Sequence, residues 1–287
     1  MRIRTITSAI ILAVLLPLII FSDYVVYPIM LALCSLLAVF ELLRVIGFEK
    51  KWVISIPAYF MAPALPLCSY LVTNEAVEQL YYKLGAVAVY MLGAVSVVFA
   101  YMIYTMSVAV FSKGKISLGS VAEVFLTVSY VVISFTSLCL VRYLYHGLFL
   151  LMLVFIGAWV CDSMAYVVGS LIGRHKLIPE ISPKKTIEGA IGGMVSTVIA
   201  FLLYGYLVDL FTEGVVPDYL VLGILGLLIS VVAQLGDLIA SLIKREHGVK
   251  DYGTLLPGHG GIMDRFDSIL AVSTILLMIC VVFPPFK

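Results

Sequence analysis

The stretch Ser241–Asp267 reads SLIKREHGVKDYGTLLPGHGGIMDRFD and lies between two segments that are otherwise almost entirely apolar. Only 12% of the 287 residues are charged, and this single loop holds a large share of them. The whole chain is 63% hydrophobic, whereas a soluble domain is about half apolar and about a quarter charged. We therefore expect an integral membrane protein whose chemistry is concentrated in this polar stretch.

The apolar runs on either side predict an all-α polytopic bundle of about nine transmembrane helices, because about 20 apolar residues cross the hydrocarbon layer. The first run follows Arg2 and Arg4, as in a signal sequence. No A-x-A-like cleavage site follows it, so we expect an uncleaved span. The predicted spans cover residues 5–21, 25–46, 52–72, 85–106, 118–142, 147–170, 188–211, 218–243 and 266–283.

Lysine and arginine are distributed unequally between the two sets of alternate loops. Of the 18 basic residues, all but Lys83, Arg142 and Lys287 fall on the side that also holds the N-terminus. Because cytoplasmic loops carry an excess of Lys and Arg, this distribution predicts a cytosolic N-terminus. The two longest loops on that side, 171–187 and 244–265, contain the unusual polar residues, so we expect the functional site to face the cytosol.

Two aspartates are predicted to lie inside the membrane, where an ionisable side chain costs about 3 kcal/mol or more and usually marks a site. Asp237 precedes Lys244 by two helical turns, which places it roughly 10 Å below the cytosolic boundary. Asp162 is at a similar depth in its own span. Asp237, Ser241 and Lys244 share one helix face. A structural ion pair between Asp237 and Lys244 is the simpler alternative.

Asp264 and Asp267 are three residues apart at the start of the last span and also share a face. Capping of the helix N-terminus would explain one of them. Capping does not explain why Asp237 is predicted at membrane depth nearby. Carboxylates that converge at this level suit Mg2+, which takes one or two protein carboxylates and leaves positions for water and phosphate oxygens.

Basic and glycine-rich turns accompany these acids. The loop GRHKLIPEISPKKTIEG (173–189) places Lys184 and Lys185 just before a helix N-terminus, which attracts anions. Anchoring to anionic lipid would explain the lysines alone. The turn PGHGG (257–261) allows close approach of the backbone to a ligand, and no P-loop, Rossmann or G-x-S-x-G motif is present. This combination favours phosphoryl or nucleotidyl transfer onto a lipid.

The polar stretch resembles the signature of the CDP-diacylglycerol synthases (phosphatidate cytidylyltransferases), Ser-x-aliphatic-Lys-Arg, four residues, Lys-Asp, then Pro-x-His-Gly-Gly-x-x-Asp-Arg-x-Asp. A second stretch, from Asp162 to Gly189, is also similar to this family, with Ser163 where Thr is more usual. The positions that match the signature are Ser241, Lys244, Arg245, Lys250, Asp251, Pro257, His259, Gly260, Gly261, Asp264, Arg265 and Asp267.

The resemblance implies a reaction in which CTP and phosphatidate give CDP-diacylglycerol and pyrophosphate with Mg2+, the number of cations being left open. It also implies a homodimer in the cytoplasmic membrane of a bacterium, with no nucleic-acid partner. It covers residues 150–270 well and says little about residues 1–110. We therefore divide the chain into a variable N-terminal transmembrane region, 1–110, and a C-terminal catalytic transmembrane region, 111–287.

Roles for individual residues follow from this expected reaction. Asp237, Asp264 and Asp267 are predicted to hold the metal, with Asp162 as a further candidate. His259 is expected to orient a phosphate or the loop, because a phosphate monoester near pH 7 is already largely ionised and needs no strong base. The predicted phosphate-binding and substrate-binding residues are Ser182, Lys184, Lys185, Thr186, Ser241, Lys244, Arg245, Lys250, Asp251, Gly260, Gly261 and Arg265.

Two other functions remain open at this point. A CTP-dependent polyprenol or phytol kinase would share the nucleotide and metal requirements but would release CDP instead of pyrophosphate. An ion-coupled transporter would use Asp162, Asp237 and Glu123 as an ion path. Transporters usually show internal repeats and access from both sides, whereas here the polar groups are predicted on one side only.

Overall fold

The computed structural model describes residues 22, 24–75, 80–255, 258 and 260–287. Within these residues, eight helices are long and apolar enough to cross a membrane. They confirm eight of the nine predicted spans, and the first span, 5–21, lies outside the described residues. The helices are α1 (Val26–Ile46), α2 (Trp52–Glu75), α3 (Leu80–Phe111), α4 (Leu118–Tyr143), α5 (Gly147–Ile172), α6 (Ile187–Phe211), α7 (Tyr219–Glu246) and α8 (Met263–Val282).

The first of two compact units comprises the chain up to Tyr145 together with Val249–Arg265. Helix α1 packs against α2 and α4, and α3 packs against the same two helices. Helix α4 is largely buried, with Phe135 and Leu138 fully enclosed. The buried hydroxyl of Tyr27 donates a hydrogen bond to the Leu138 carbonyl at 3.0 Å, which joins α1 to the core of this unit.

The second unit comprises His146–Gly248 and Phe266–Lys287. Helices α5, α6 and α7 all pack against one another. Small residues line the contact between α5 and α6: a Cβ atom added at Gly189 would lie 2.5 Å from the Ala165 carbonyl oxygen, and one at Gly193 would lie 2.9 Å from the Cys161 carbonyl oxygen. Such residues let the backbones of membrane helices approach closely. The two units do not coincide with the predicted division at residue 110, which was drawn from the positions of the motifs and stays a prediction.

Gly189→Ala is expected to destabilise the protein by about 1–3 kcal/mol, because the added methyl group meets a backbone oxygen that cannot turn aside. Gly223→Ala in α7 is the matched control, since the nearest atom to its new Cβ would be 3.9 Å away. Because alanine also favours a helix over glycine, the Gly223→Ala control is not expected to lose stability. Thermal unfolding of the two detergent-solubilised variants tests this expectation. Equal unfolding midpoints would contradict tight packing of α5 on α6.

A short β-hairpin interrupts the otherwise helical fold within the predicted loop 171–187. Strand β1 (Lys176–Ile178) pairs antiparallel with β2 (Ser182–Thr186), with Lys176 opposite Thr186 and Ile178 opposite Ser182. An isolated two-stranded hairpin is marginally stable at best. Here the hairpin contacts α5 and α6. The hairpin depends on these tertiary contacts, which the local sequence does not show, and it was therefore not predicted.

The C-terminal residues fix the beginning of α7. The backbones of Val216 and Lys287 exchange two hydrogen bonds, and the Lys287 Nζ atom lies 2.8 Å from Asp218 Oδ2. The hydrogen bond from this ammonium holds the pKa of the Asp218 carboxyl below its usual range. Asp218 also caps α7 by accepting the Val221 N–H at 3.2 Å. The helix that carries Asp237 is therefore anchored at its first turn.

Candidate functional site

Three of the predicted acidic residues gather in the second unit. Asp162 of α5, Asp237 of α7 and Asp267 of α8 are close enough for each pair of carboxylates to interact electrostatically. We call these three residues the carboxylate cluster. Ser268 Oγ donates a hydrogen bond to Asp162 Oδ2 at 2.9 Å, and the Ser268 N–H donates to Asp267 Oδ1 at the same distance.

A glycine explains how α7 and α8 come close enough to share the cluster. A Cβ atom added at Gly236, next to Asp237, would lie 2.8 Å from both the Asp267 carbonyl oxygen and the Ala271 Cβ. Helix α7 therefore approaches the first part of α8 almost backbone to backbone. The sequence predicted the depth of the aspartates, and this close packing brings two of them together.

Two lysines interact with the carboxylate cluster. Lys185 at the end of the hairpin places its Nζ atom 2.6 Å from Asp237 Oδ2. Lys244, which is largely buried, interacts electrostatically with Asp267. Asp237 forms an ion pair with Lys185. The structural alternative, a pair between Asp237 and Lys244, stays a prediction. Lys185 and Asp237 are 22% and 27% exposed, so their ion pair is accessible to a ligand.

The hairpin sends its two lysines to opposite faces, as a β-strand must. Lys185 reaches Asp237 in α7, and Lys184 is exposed. Thr186 follows as the N-cap of α6, and its buried hydroxyl accepts the Gly189 N–H at 3.1 Å. Thr186 therefore has a structural role, and its predicted contact with substrate stays a prediction. Ser182, at the start of β2, is half-buried.

Further contacts hold the hairpin in place. Glu188 lies on α6, and its carboxylate accepts the backbone N–H groups of Arg174 and His175. The same carboxylate lies 2.6 Å from the His175 ring. Arg245 on α7 donates from Nε to the Ile181 carbonyl in the hairpin turn at 3.4 Å. Ser241 donates to Asp237 Oδ1 at 3.4 Å, as its position one turn later on the same face predicted.

Asp264 belongs to the first unit, where it organises the described flanks of the glycine-rich loop. These flanks, Tyr252–Gly253 and Gly260–Asp264, are called the signature flanks below. Asp264 is 7% exposed, and its Oδ2 atom accepts the N–H groups of Tyr252 at 2.7 Å and Gly261 at 3.0 Å. Both donors precede α8, so these bonds hold the loop before the helix. Capping of α8 by Asp264 stays a prediction.

A second carboxylate, not predicted from the sequence, lies at the signature flanks. Glu41 of α1 is 4% exposed and accepts the Met263 N–H at 3.0 Å. One turn later, Arg44 Nη2 donates to the Tyr252 carbonyl at 2.8 Å. The sequence does contain a signal for Glu41, because it is an acidic residue near the end of an apolar span, three residues before an arginine. This signal is weak by itself, because the family signature does not extend to residues 1–110.

The other predicted site residues are placed as follows. Gly260 has a φ of +82°, and a Cβ atom there would lie 2.7 Å from Asp264 Oδ2, so this turn requires glycine. His259 lies outside the described residues. The side chains of Lys250, Asp251 and Arg265 are exposed and belong to the first unit. A metal ion shared by Asp237 and Asp264 stays a prediction.

The carboxylate cluster fits a magnesium ion that is bound together with a phosphate ligand. Over the described ranges, no three acidic, histidine or cysteine side chains form a ready-made metal cage. Mg2+ does not need one, since it commonly binds one or two carboxylates and completes its shell with water and phosphate oxygens. Asp237 and Asp267 supply such a pair of carboxylates, and Asp237 is partly accessible.

Comparison with known proteins agrees with the resemblance and extends it into the N-terminal region. A sequence model described as the Cytidylyltransferase family matches residues 2–283. The phosphatidate cytidylyltransferase of Staphylococcus haemolyticus is 34% identical over 277 residues, covering 96% of this chain and 97% of the relative. The proteins of the same name from Staphylococcus epidermidis and Staphylococcus aureus are 33% and 34% identical, each over 96% of this chain and 97% of the relative. The chain therefore belongs to the cytidylyltransferase family.

Proposed function

We propose that this multi-pass membrane protein is a nucleotidyltransferase that transfers the CMP group of CTP to phosphatidate, giving CDP-diacylglycerol and pyrophosphate. The family match along nearly the whole chain and the names of the staphylococcal relatives support this reaction. One structural observation supports the chemistry: three carboxylates of long apolar helices gather beside a basic hairpin, whose Lys185 forms an ion pair with one of them. Such a site suits a lipid phosphate that meets a water-soluble nucleotide.

In this reaction an oxygen of the phosphatidate phosphate attacks the α-phosphorus of CTP. A new phosphorus–oxygen bond forms, and the bond from the α-phosphorus to the oxygen that bridges to the β-phosphate breaks. Pyrophosphate leaves with the electron pair. The nucleophile is already an anion, so no side chain has to remove a proton. The main barrier is repulsion between two anions, which cationic side chains and accurate positioning reduce.

Basic residues of the hairpin and α7 would reduce that repulsion. Lys185, held by Asp237, and the largely buried Lys244 would bind phosphate oxygens beside the carboxylate cluster. The exposed Lys184 and Arg245, together with Lys250, would attract the triphosphate from water or bind the lipid headgroup. Glu188 supports these cations indirectly, because it fixes Arg174 and His175 at the start of the hairpin whose second strand carries Lys184 and Lys185.

The proposal includes Mg2+, held by Asp237 and Asp267, with Asp162 and Asp264 as further candidates. When bound, the ion would supply Lewis-acid stabilisation of negative charge on the phosphates. Asp237 and Lys185 are 27% and 22% exposed, so phosphate oxygens, which such an ion requires, could reach them.

The proposed topology has nine spans, a cytosolic N-terminus and an active site that faces the cytosol in the cytoplasmic membrane. The excess of Lys and Arg in alternate loops supports this orientation. The reaction supports it too, because CTP comes from the cytosol while phosphatidate keeps its acyl chains in the leaflet. The homodimer is proposed from the family resemblance, and measurement of the mass of the detergent-solubilised protein tests it.

Purified protein given phosphatidate, Mg2+ and CTP labelled at the α-phosphate is expected to move label into the lipid fraction. Equimolar pyrophosphate should be released, and excess EDTA should stop the transfer. CTP labelled at the γ-phosphate is the matched control, because a kinase would transfer that label instead and release CDP. Transfer of the γ label, or of neither label, would overturn the proposed function. Full activity in EDTA would overturn the metal assignment.

A further inference from the structure

Two side chains of α1 contact the signature flanks, although α1 lies far from them in the sequence. Glu41 and Arg44 are three residues apart and so share a helix face. Glu41 accepts the Met263 N–H at 3.0 Å, and Arg44 donates to the Tyr252 carbonyl at 2.8 Å. The first contact lies at one end of the glycine-rich loop and the second at the other end. Helix α1 therefore holds both flanks.

The carboxylate of Glu41 is buried near that of Asp264, and hydrogen bonds and charge offset part of the cost. A buried carboxylate is costly unless hydrogen bonds or charges compensate it. Glu41 lies at the N-terminus of α8, where backbone N–H groups and the helix dipole favour negative charge. It also interacts electrostatically with Arg44. These interactions define one place and one orientation for the carboxylate.

Glu41 and Arg44 contact the two residues, Tyr252 and Gly261, whose N–H groups donate to Asp264. Tyr252 donates its N–H to Asp264 Oδ2 at 2.7 Å, while its carbonyl accepts from Arg44. Gly261 donates its N–H to the same oxygen at 3.0 Å, while its Cα packs against the Glu41 carboxylate. Moving either α1 side chain would therefore displace a donor to Asp264.

We infer that Glu41 and Arg44 are positioning residues for the transfer reaction, acting through Tyr252 and Gly261 on the carboxylate of Asp264. This inference rests on the proposed function, in which Asp264 takes part in catalysis. It gives part of the N-terminal region a specific role at the signature flanks.

The glycines beside Glu41 provide an independent way to test this arrangement. A Cβ atom added at Gly253 or at Gly261 would lie 2.3 Å from a Glu41 carboxylate oxygen. Neither glycine has a positive φ, so alanine is compatible with the backbone at both positions. The steric requirement for glycine therefore comes largely from Glu41.

Glu41→Ala is expected to lower kcat by about 10- to 100-fold, the effect typical of removing a group that orients a catalytic ligand. Glu41→Gln, which keeps the shape and one acceptor oxygen, should show a smaller loss. The KM for CTP should stay within about twofold of wild type, because the phosphate-binding lysines are unchanged. Glu49→Gln, in the turn after α1, is the charge-matched control and should leave kcat unchanged. Activity is normalised to folded protein after size exclusion, so a purely structural loss would not change kcat.

A double-mutant cycle separates positioning from general damage. Gly261→Ala should lose activity because its methyl group meets the Glu41 carboxylate. Glu41→Ala removes that carboxylate, so the double variant should lose clearly less than the product of the two single losses. Gly119→Ala in α4, whose new Cβ would meet nothing closer than 3.9 Å, should combine with Glu41→Ala multiplicatively. Arg44→Ala removes an exposed side chain and should lower kcat about tenfold even if Glu41→Ala does not fold.

If the wild-type protein transfers CMP normally, an unchanged kcat in both Glu41→Gln and Arg44→Ala would overturn the inference. A multiplicative result for the Gly261→Ala and Glu41→Ala pair would do the same. Absence of CMP transfer by the wild-type protein would instead overturn the proposed function, and the inference with it.

Discussion

Asp237→Asn is expected to lower CMP transfer by at least about a thousandfold while the protein remains folded. Asp237 Oδ2 lies 2.6 Å from Lys185 Nζ, and the carboxylate interacts electrostatically with Asp162. Asparagine has nearly the same shape but no charge, so it would neither hold the ammonium nor bind a divalent cation well. A thousandfold loss corresponds to about 4 kcal/mol of transition-state stabilisation, which is in the range expected for a metal ligand.

The control for Asp237→Asn is Asp209→Asn, which removes an exposed carboxylate near the end of α6, outside the carboxylate cluster. It should leave kcat within about twofold of wild type. Lys185→Gln tests the ion pair, because residues that act as a unit give non-additive losses. The double variant should be little worse than Asp237→Asn alone. Activity of Asp237→Asn within tenfold of wild type would refute its proposed role.

The helices could be predicted well because the membrane sets their length. The span predicted at 118–142 is helix Leu118–Tyr143, and the span predicted at 147–170 is helix Gly147–Ile172. The largest difference is α3, predicted at 85–106 and observed as Leu80–Phe111. An apolar window marks the part of a helix that suits the hydrocarbon layer, whereas backbone hydrogen bonding continues past it into the interface.

Contacts within one helix could also be predicted, but contacts between distant segments could not. Helical spacing correctly placed Ser241 beside Asp237, at 3.4 Å. The ion pair between Asp237 and Lys185 could not be predicted in this way, because Lys185 lies on a hairpin whose position depends on packing against α5 and α6. The contact of Glu41 with Met263 links segments far apart in the sequence, so helix periodicity carried no information about it.

Asp264→Asn is expected to abolish CMP transfer, because it keeps the hydrogen bonds of Asp264 but removes an oxygen that could bind a cation. Asp264 Oδ2 accepts the N–H groups of Tyr252 and Gly261, and an asparagine oxygen can accept both in the same place. The asparagine nitrogen would then replace the second carboxylate oxygen. That nitrogen is a hydrogen-bond donor and cannot bind a cation. The signature flanks should therefore keep their arrangement while the chemistry is lost.

Asp264→Ala supplies the comparison that separates the two roles of this residue. Alanine removes both the acceptor of the two N–H groups and the second oxygen, so it should lower the thermal unfolding midpoint as well as activity. If Asp264 only organises the signature flanks, Asp264→Asn should retain near-normal kcat and Asp264→Ala alone should be inactive. If it also acts on the phosphates or their cation, both variants should lose at least about a thousandfold in kcat, and only Asp264→Ala should lose stability. Measuring kcat and the unfolding midpoint of both variants beside wild type therefore decides whether Asp264 takes part in the reaction or only supports the loop before α8.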